Sequence, residues 1–268
     1  MSKGARVLII EDDPYARDLM ALLLTRDWRT RVVGEAGAEA EALHILNQPS
    51  RREDLILLDT EIPGDPEWPF RVAEAARSGV RPPVILCTGT RADVETLRRI
   101  LRAAFGGYIL KTEVSYALAW AVTRAAAGHW VTTPGIWQMA HDRRLALPQG
   151  TVVLDGRGPT ANFTRREDEL ARLAVLFNLA QRDLADELHI TADQISKVVS
   201  SVYTKIGLRE ILSGEVAPEV YFEDKAVLAQ FERVLKHATA KRQRAGRAHK
   251  APDMATLAFH LLTVPTVE

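Results

Sequence analysis

The sequence predicts a doubly wound α/β domain with a five-stranded parallel sheet, followed by an all-helical region. Three observations carry this. Over residues 1–127, short apolar runs alternate five times with helical patterns, the rhythm of parallel strands joined by crossover helices. Polar residues gather just past the ends of those runs, where such a sheet places its functional groups. From residue 164 onward, the pattern reads instead as several short helices with suitable caps.

Element by element, Arg6–Ile10 is a short apolar strand that ends in Glu11, Asp12 and Asp13. Pro14 opens a helix with Leu19, Leu22 and Leu23 on one face. Arg31–Gly34 is the second strand and Ala38–Leu46 the second helix. Asp54–Leu58 is the third strand, four apolar residues running up to Asp59. Pro63-Gly64-Asp65-Pro66 is a loop. Arg71–Arg77 is helical, Val84–Cys87 is the fourth strand, stopped by Thr88-Gly89, and Asp93–Ala104 is helical. Tyr108–Leu110 is the fifth strand and Ser115–Ala127 the fifth helix.

The chain has 268 residues, room for about two domains at roughly 100–200 residues each. Its apolar runs are far shorter than the roughly 20 residues needed to span a bilayer, and Met1–Arg6 holds no signal-peptide stretch, so no membrane contact and a cytoplasmic location are expected. One cysteine, Cys87, excludes an internal disulfide framework and a cysteine metal cluster; it reads as a buried structural residue. No G-x-G-x-x-G or P-loop is present. Net charge is zero but uneven. Residues 1–127 carry 17 basic and 18 acidic side chains, residues 161–212 carry 7 and 8, and residues 236–250 carry six basic and none acidic.

Carboxylates crowded at strand tips repel one another and raise each other's pKa unless a cation sits among them. Mg²⁺ suits such a site, and it can clamp the oxygens of a phosphoryl group in transfer. Asp59 is then the nucleophile, Lys111 neutralises phosphoryl charge and Thr88 offers a hydroxyl.

The segments VLIIEDDPYAR, DLILLDTEIPG, VILCTGT and GYILKTE resemble, in order and spacing, the signature segments of response-regulator receiver domains, over about 120 residues. The resemblance implies a flavodoxin-like receiver with Asp59 as phosphoacceptor and a Mg²⁺ site at Glu11, Asp12, Asp59 and the Glu61 backbone carbonyl. Thr88, Tyr108 and Lys111 are the implied switch residues. Arg17, five residues after Asp12, fixes which acids form the pair and leaves Asp13 as an extra, more exposed one. The implied partner is a histidine kinase, with a homodimer formed through a receiver face. Phosphorylation would draw Thr88 toward the new oxygens and let the Tyr108 ring turn inward. Asp65-Pro66-Glu67-Trp68-Pro69 departs from the usual pattern and is expected to rigidify the loop beside Asp59 or to mark a partner surface.

Residues 128–160 hold five glycines and three prolines and read as a linker, in which Trp130 and Trp137 would pack against one domain. Thr164 and Glu167 form a capping box. Gln181–Leu188, a turn at Ile190-Thr191 and Ala192–Ile206 then form a helix-turn-helix spacing within a domain over residues 161–212. FTRREDELARLA…RDLADELHITADQISKVVSSVYTKIGL resembles the DNA-binding domain of LuxR-type regulators of the NarL/FixJ class. Asn178 stands at a usual glycine, and one extra residue lies between Ala174 and Asn178. Ser196 and Val198 replace the lysine and histidine that the family presents to DNA. Gln194 is left as a possible base reader, with Lys197, Ser200, Ser201 and Thr204 as phosphate contacts and Lys205 adding charge to the DNA-binding face at the far end. The whole implies a phosphorylation-dependent, DNA-binding transcription regulator rather than an enzyme. The alternative is a receiver that controls a protein partner through a helix-turn-helix region no longer reading DNA. Residues 213–268 form a helical extension, with helices near 215–237 and 253–262. The basic stretch 238–252 is expected to be disordered.

Overall fold

Val7–Ile10 and Leu55–Leu58 are continuous apolar runs with no residue more than 1% exposed, which an alternating strand on a half-solvated sheet would not show. Both faces of these strands are covered by helices, as in parallel sheets generally. The computed structural model describes residues 4–48, 53–61, 67–78, 81–157, 162–245 and 252–268. The chain divides into two units: Met1–Gly158 with Pro265–Glu268, and Pro159–Val264.

In the first unit, β1 (Ala5–Ile10), β2 (Thr30–Ala36), β3 (Leu55–Asp59), β4 (Val84–Gly89) and β5 (Gly107–Leu110) form a parallel sheet in the order β2-β1-β3-β4-β5. The chain winds outward in one direction from β1 and in the other from β3. The carboxyl ends of β1 and β3 therefore face a crevice at the switch point, where ligands bind in such sheets. The connecting helices are α1 (Pro14–Arg26), α2 (Glu39–Leu46), α3 (Trp68–Arg77) and α4 (Val94–Arg102). Asp13 caps α1, its carboxylate accepting from the Tyr15 and Ala16 amides at 2.9 and 3.4 Å, and Pro14 takes the first position. Trp68, 2% exposed, belongs to the core as the first residue of α3. The rest of the atypical loop, residues 62–66 and with it Pro63-Gly64-Asp65-Pro66, lies outside the described residues.

The fifth connection differs from the single helix that the sequence predicts. Lys111–Val114 already forms a short helix, α5, and Ser115 is left-handed at φ 44°. A 3₁₀ turn at Ser115–Ala117 then leads into α6 (Leu118–Ala126).

The expected linker is part of the sheet. β6 (Val131–Thr132) pairs in parallel with β5, and β7 (Val152–Asp155) in parallel with β6, with α7 (Pro134–Asp142) between them. Gly107 allows this, since a Cβ there would stand 2.1 Å from the Val131 carbonyl oxygen. Trp130, 7% exposed, packs into the main core with Ile136 and Ala140, which draws the segment down onto the sheet. Trp137 instead is 43% exposed and stacks on His141. The final strand, β8 (Thr266–Val267), pairs antiparallel with β7 and makes the sheet eight-stranded among the described residues.

The second unit is helical. The Thr164/Glu167 capping box opens α8 (Arg165–Ala171), which continues as a π-helical turn at Arg172–Leu176, closed by the Phe177 amide donating to the Arg172 carbonyl at 3.0 Å. Such a turn accommodates one inserted residue, and this one stands where the sequence has its extra residue. Asn178 follows at φ 55°, the left-handed conformation that stands in for glycine. α9 (Gln181–Glu187) and α10 (Ala192–Lys205), the latter with a second capping box at Thr191/Gln194, pack on α8 around Leu170, Leu184, Ile195 and Val199. α11 (Leu208–Ser213), α12 (Lys225–Ala245) and α13 (Pro252–Leu262) complete the unit. Residues 215–224 hold a 3₁₀ helix at Pro218–Val220 rather than the start of an α-helix. α12 runs on to Ala245, through much of the basic stretch expected to be disordered; residues 246–251 lie outside the described residues. Among the described residues, no helix is long and apolar enough to cross a membrane.

Candidate functional site

The switch-point crevice brings together carboxylates from two separate strand ends. Glu11 and Asp12 follow β1 and Asp59 ends β3, and one oxygen from each lies within 4.8 Å of the others. Glu11 is 1% and Asp59 2% exposed. Lys111, at the end of β5, reaches over the crevice. Its Nζ stands 2.9 and 2.7 Å from the two Glu11 oxygens and 3.1 Å from Asp59 Oδ2. Three carboxylates against one ammonium leave a formal charge of −2, which matches a divalent cation. The donor set is all oxygen and partly buried, so the residues present fit Mg²⁺.

Burial dominates the electrostatics. It pushes the Glu11 carboxyl up to about 7 against the opposing hydrogen bond from Lys111, with the nearby Asp59 charge adding to the rise. Burial also raises Asp59, opposed by the Lys111 charge and by the Glu61 amide, which donates to Asp59 Oδ1 at 3.1 Å. For Lys111, burial acts downward, but the Glu11 hydrogen bond and the two carboxylate charges outweigh it and raise the ammonium.

Of the expected metal set, Glu11, Asp12 and Asp59 converge. The Glu61 side chain turns away and accepts from the Thr90 amide and hydroxyl at 2.8 and 2.7 Å. Its backbone amide braces Asp59. Arg17 Nη1 donates to the Glu11 carbonyl at 2.7 Å and fixes the end of β1. Asp13 serves only as the cap of α1.

Thr88 and Tyr108, the expected switch residues, flank this cluster. Thr88 pairs with Asp59 across β3 and β4; its Oγ1 is buried with no hydrogen-bond partner among the described residues. The Tyr108 ring, 1% exposed, is already turned inward, its hydroxyl donating to the Arg91 carbonyl at 3.1 Å. The structure thus holds the inward end of the expected swing. Gly89 makes it possible, since a Cβ there would lie 2.9 Å from the Tyr108 hydroxyl.

The expected DNA-contacting side chains fare differently. Ser201 and Lys205 face α8, where Ser201 Oγ donates to Glu167 Oε1 at 2.6 Å and Lys205 Nζ to Glu167 Oε2 at 2.7 Å. These bonds, Lys205 first, hold the Glu167 carboxyl down to about 2. A buried carboxylate on α8 thus engages both side chains. Gln194 Oε1 accepts from the Thr191 amide, Ser200 meets Arg209, and the Thr204 hydroxyl folds back on the Ser200 carbonyl. Lys197 is exposed on α10.

Sequence reasoning missed Glu113, on α5. It accepts from the Gly135 amide at 2.8 Å and pairs with Arg157 Nη1 at 3.4 Å. Its partners lie 22 and 44 residues away, and no local spacing signals them.

The chain is similar to known proteins in the same terms. It is 26% identical over 212 residues to the nitrate/nitrite response regulator protein NarP of Escherichia coli, covering 79% of this chain and 93% of that protein. It is 27% identical over 207 residues to the DNA-binding transcriptional activator DevR/DosR of Mycobacterium tuberculosis, covering 76% and 88%. A protein-glutamate methylesterase/protein-glutamine glutaminase of Cereibacter sphaeroides is 31% identical over 149 residues, but over only 38% of its own length. The two relatives matched over about nine tenths of their own length are thus both regulators. Residues 7–122 match the family model described as the response regulator receiver domain. The strand order β2-β1-β3-β4-β5, the converging carboxylates and Lys111 agree with that match, and residues 7–122 are a receiver domain of the response-regulator type.

Proposed function

We propose that this protein is a response regulator in which a histidine kinase phosphorylates Asp59, and that this modification controls a helix-turn-helix unit which regulates transcription by binding DNA. The observation that carries the reading is the convergence of Glu11, Asp12, Asp59 and Lys111 on one crevice, with the Thr88 hydroxyl, unpartnered among the described residues, beside them.

In the transfer, a carboxylate oxygen of Asp59 attacks phosphorus of the donor's phosphoimidazole. The P–N bond breaks, an acyl phosphate forms, and the imidazole leaves with a proton. The Glu61 amide orients Asp59 for attack. Lys111, already 3.1 Å from Asp59, balances the added phosphoryl charge, and Thr88 Oγ1 supplies a hydrogen bond to a new oxygen. Glu11, Asp12, Asp59 and the Glu61 carbonyl are the residues that would hold Mg²⁺, whose chemistry here is to neutralise charge on phosphoryl oxygens. The modified protein acts as a homodimer, the assembly that paired half-sites on DNA require.

On the DNA side, Lys197 is the leading contact, because Ser201 and Lys205 are engaged by Glu167. The second reading, control of a protein partner, draws on that same engagement and on Phe177 and Leu179, which are 49% and 36% exposed at the turn before α9.

The test combines a small phosphodonor and Mg²⁺ with genomic DNA pull-down. The wild type gains one phosphoryl group and Asp59→Asn does not. DNA capture rises on modification, falls steeply with salt, and weakens in Lys197→Ala with a salt slope reduced by about 1. Labelling that persists in Asp59→Asn rejects the site. Labelling without DNA capture favours the protein-partner reading.

A further inference from the structure

We infer that β8 is a latch on the receiver sheet, which the phosphorylation state of Asp59 opens through Lys111, α5 and β7; this rests on Asp59 being the phosphoacceptor.

The route is continuous in the structure. Lys111 bonds Glu11 and Asp59 and is the first residue of α5. Two residues on, the Glu113 carbonyl accepts from the Gly156 amide at 2.9 Å, just past β7. The Glu113 carboxylate also holds Arg157, and Arg157 Nη2 holds Asp155 Oδ2 at 2.8 Å. Asp155 is the last residue of β7 and pairs with Thr266 of β8. There is little slack at the joint, since a Cβ on Gly156 would stand 2.0 Å from the Val114 carbonyl oxygen. A second grip runs along the sheet. Thr132 Oγ1 donates to the Tyr108 carbonyl at 2.9 Å, and the Leu110 amide donates to Thr133 Oγ1 at 3.0 Å, both buried. The strand that carries the switch aromatic and leads to the lysine is thereby fastened to the strands that carry β8.

The far end of this route is weakly held. β8 is two residues long, and Thr266, Val267 and Glu268 are all exposed. Beyond the paired strand, the Val153 and Glu268 backbones exchange two hydrogen bonds of 3.0 Å. A cleft of about 220 Å³, lined by Pro134, Val153, Asp155, Thr266 and Glu268, opens beside the pair. Elements held this way detach at low free-energy cost. A phosphoryl group on Asp59 draws the Lys111 ammonium away from the carboxylate pair, α5 follows, and the Glu113 carboxylate passes the shift through Arg157 and Asp155 into β7. Two residues separate Pro265 from α13, the last helix of the second unit. Release of β8 therefore removes one of the two chain attachments between that unit and the sheet.

Hydrogen exchange read by mass spectrometry on the full chain tests this, with Mg²⁺ and with or without acetyl phosphate, while intact mass reports phosphorylation. The expected result is several-fold faster exchange in segments 152–157 and 263–268 after the mass gain, with β3 unchanged. Glu113→Ala should keep the mass gain and lose the exchange response. Gly156→Ala should exchange fast in both segments without donor. A mass gain with unchanged or slower exchange in those segments overturns the latch while leaving the phosphoacceptor intact. A Glu113→Ala response equal to wild type overturns the route. Absence of any mass gain overturns the phosphoacceptor and the latch together.

Discussion

Thr88→Val should stabilise the unmodified protein and weaken the phosphorylated one. Thr88 is 1% exposed in β4, and its hydroxyl has no hydrogen-bond partner among the described residues. Burying a hydroxyl that way costs about 1–3 kcal/mol. Valine keeps the β-branch that suits the strand and replaces only the hydroxyl by a methyl group. The unmodified form should therefore gain about 1 kcal/mol or more, about 2–4 °C in Tm for each kcal/mol in a unit of this size. After phosphorylation the balance reverses. The same hydroxyl would bond a charged phosphoryl oxygen, and such bonds contribute about 1.5–3 kcal/mol. Thermal unfolding with and without acetyl phosphate and Mg²⁺ measures both terms in one protein. The variant should start higher and show a smaller phosphodonor-induced rise than wild type. A lower Tm in the unmodified variant would mean that the hydroxyl is already satisfied, and the reasoning fails.

Lys111→Met should destabilise the first unit by about 2–4 kcal/mol in urea titrations, because it leaves buried Glu11 and Asp59 without their cation. Added Mg²⁺ should recover part of the loss, and an unchanged midpoint would show that the pairing carries no stability. In the second unit, Glu167 is held down to about 2, below its value in the unfolded chain. Its contribution is therefore complete above about pH 4.5 and lost as pH falls through about 2. Glu167→Gln should cost about 1–2 kcal/mol at pH 7, with the gap to wild type closing at the acid end; a gap independent of pH rejects the assignment. Gly89→Ala should drive the Tyr108 ring outward, since the new methyl would lie 2.9 Å from its hydroxyl. Chemical nitration mapped by mass spectrometry should then find Tyr108 more reactive, and equal reactivity would show that the ring tolerates the methyl.

The first five strands and the acidic site were legible because local pattern and tertiary role coincide there. Val7–Ile10 and Leu55–Leu58 are buried on both sides, so each is apolar throughout, and the next polar residues, Glu11 and Asp59, fall at the crevice by the geometry of a parallel sheet. The capping box at Thr164 was legible for a similar reason, its partner lying three residues away. Gln194, read as a base reader, instead completes a second box with Thr191. Lys205 was read as a DNA contact because a lysine late in such a helix has two uses. The deciding partner, Glu167, is 38 residues distant and sits on another helix.

Illegible were elements fixed by their neighbours' backbones rather than by their own side chains. β6 is two residues long, too short for any periodicity, and it exists because Gly107 lets it approach β5 and Trp130 anchors its start. β8 is as short and its side chains are exposed, so no burial pattern marks it. Yet these strands change what the legible ones can do. In a sheet that stopped at β5, the strand with Tyr108 would be an edge, its outer backbone groups unpaired and open to another chain. Here the Tyr108 carbonyl and the Leu110 amide are bonded by Thr132 and Thr133, and Glu113 ties the Lys111 segment to β7. A displacement at Lys111 therefore meets its own chain on that side before it can meet a partner, and it reaches first the part of the sheet where the second unit's last helix is attached.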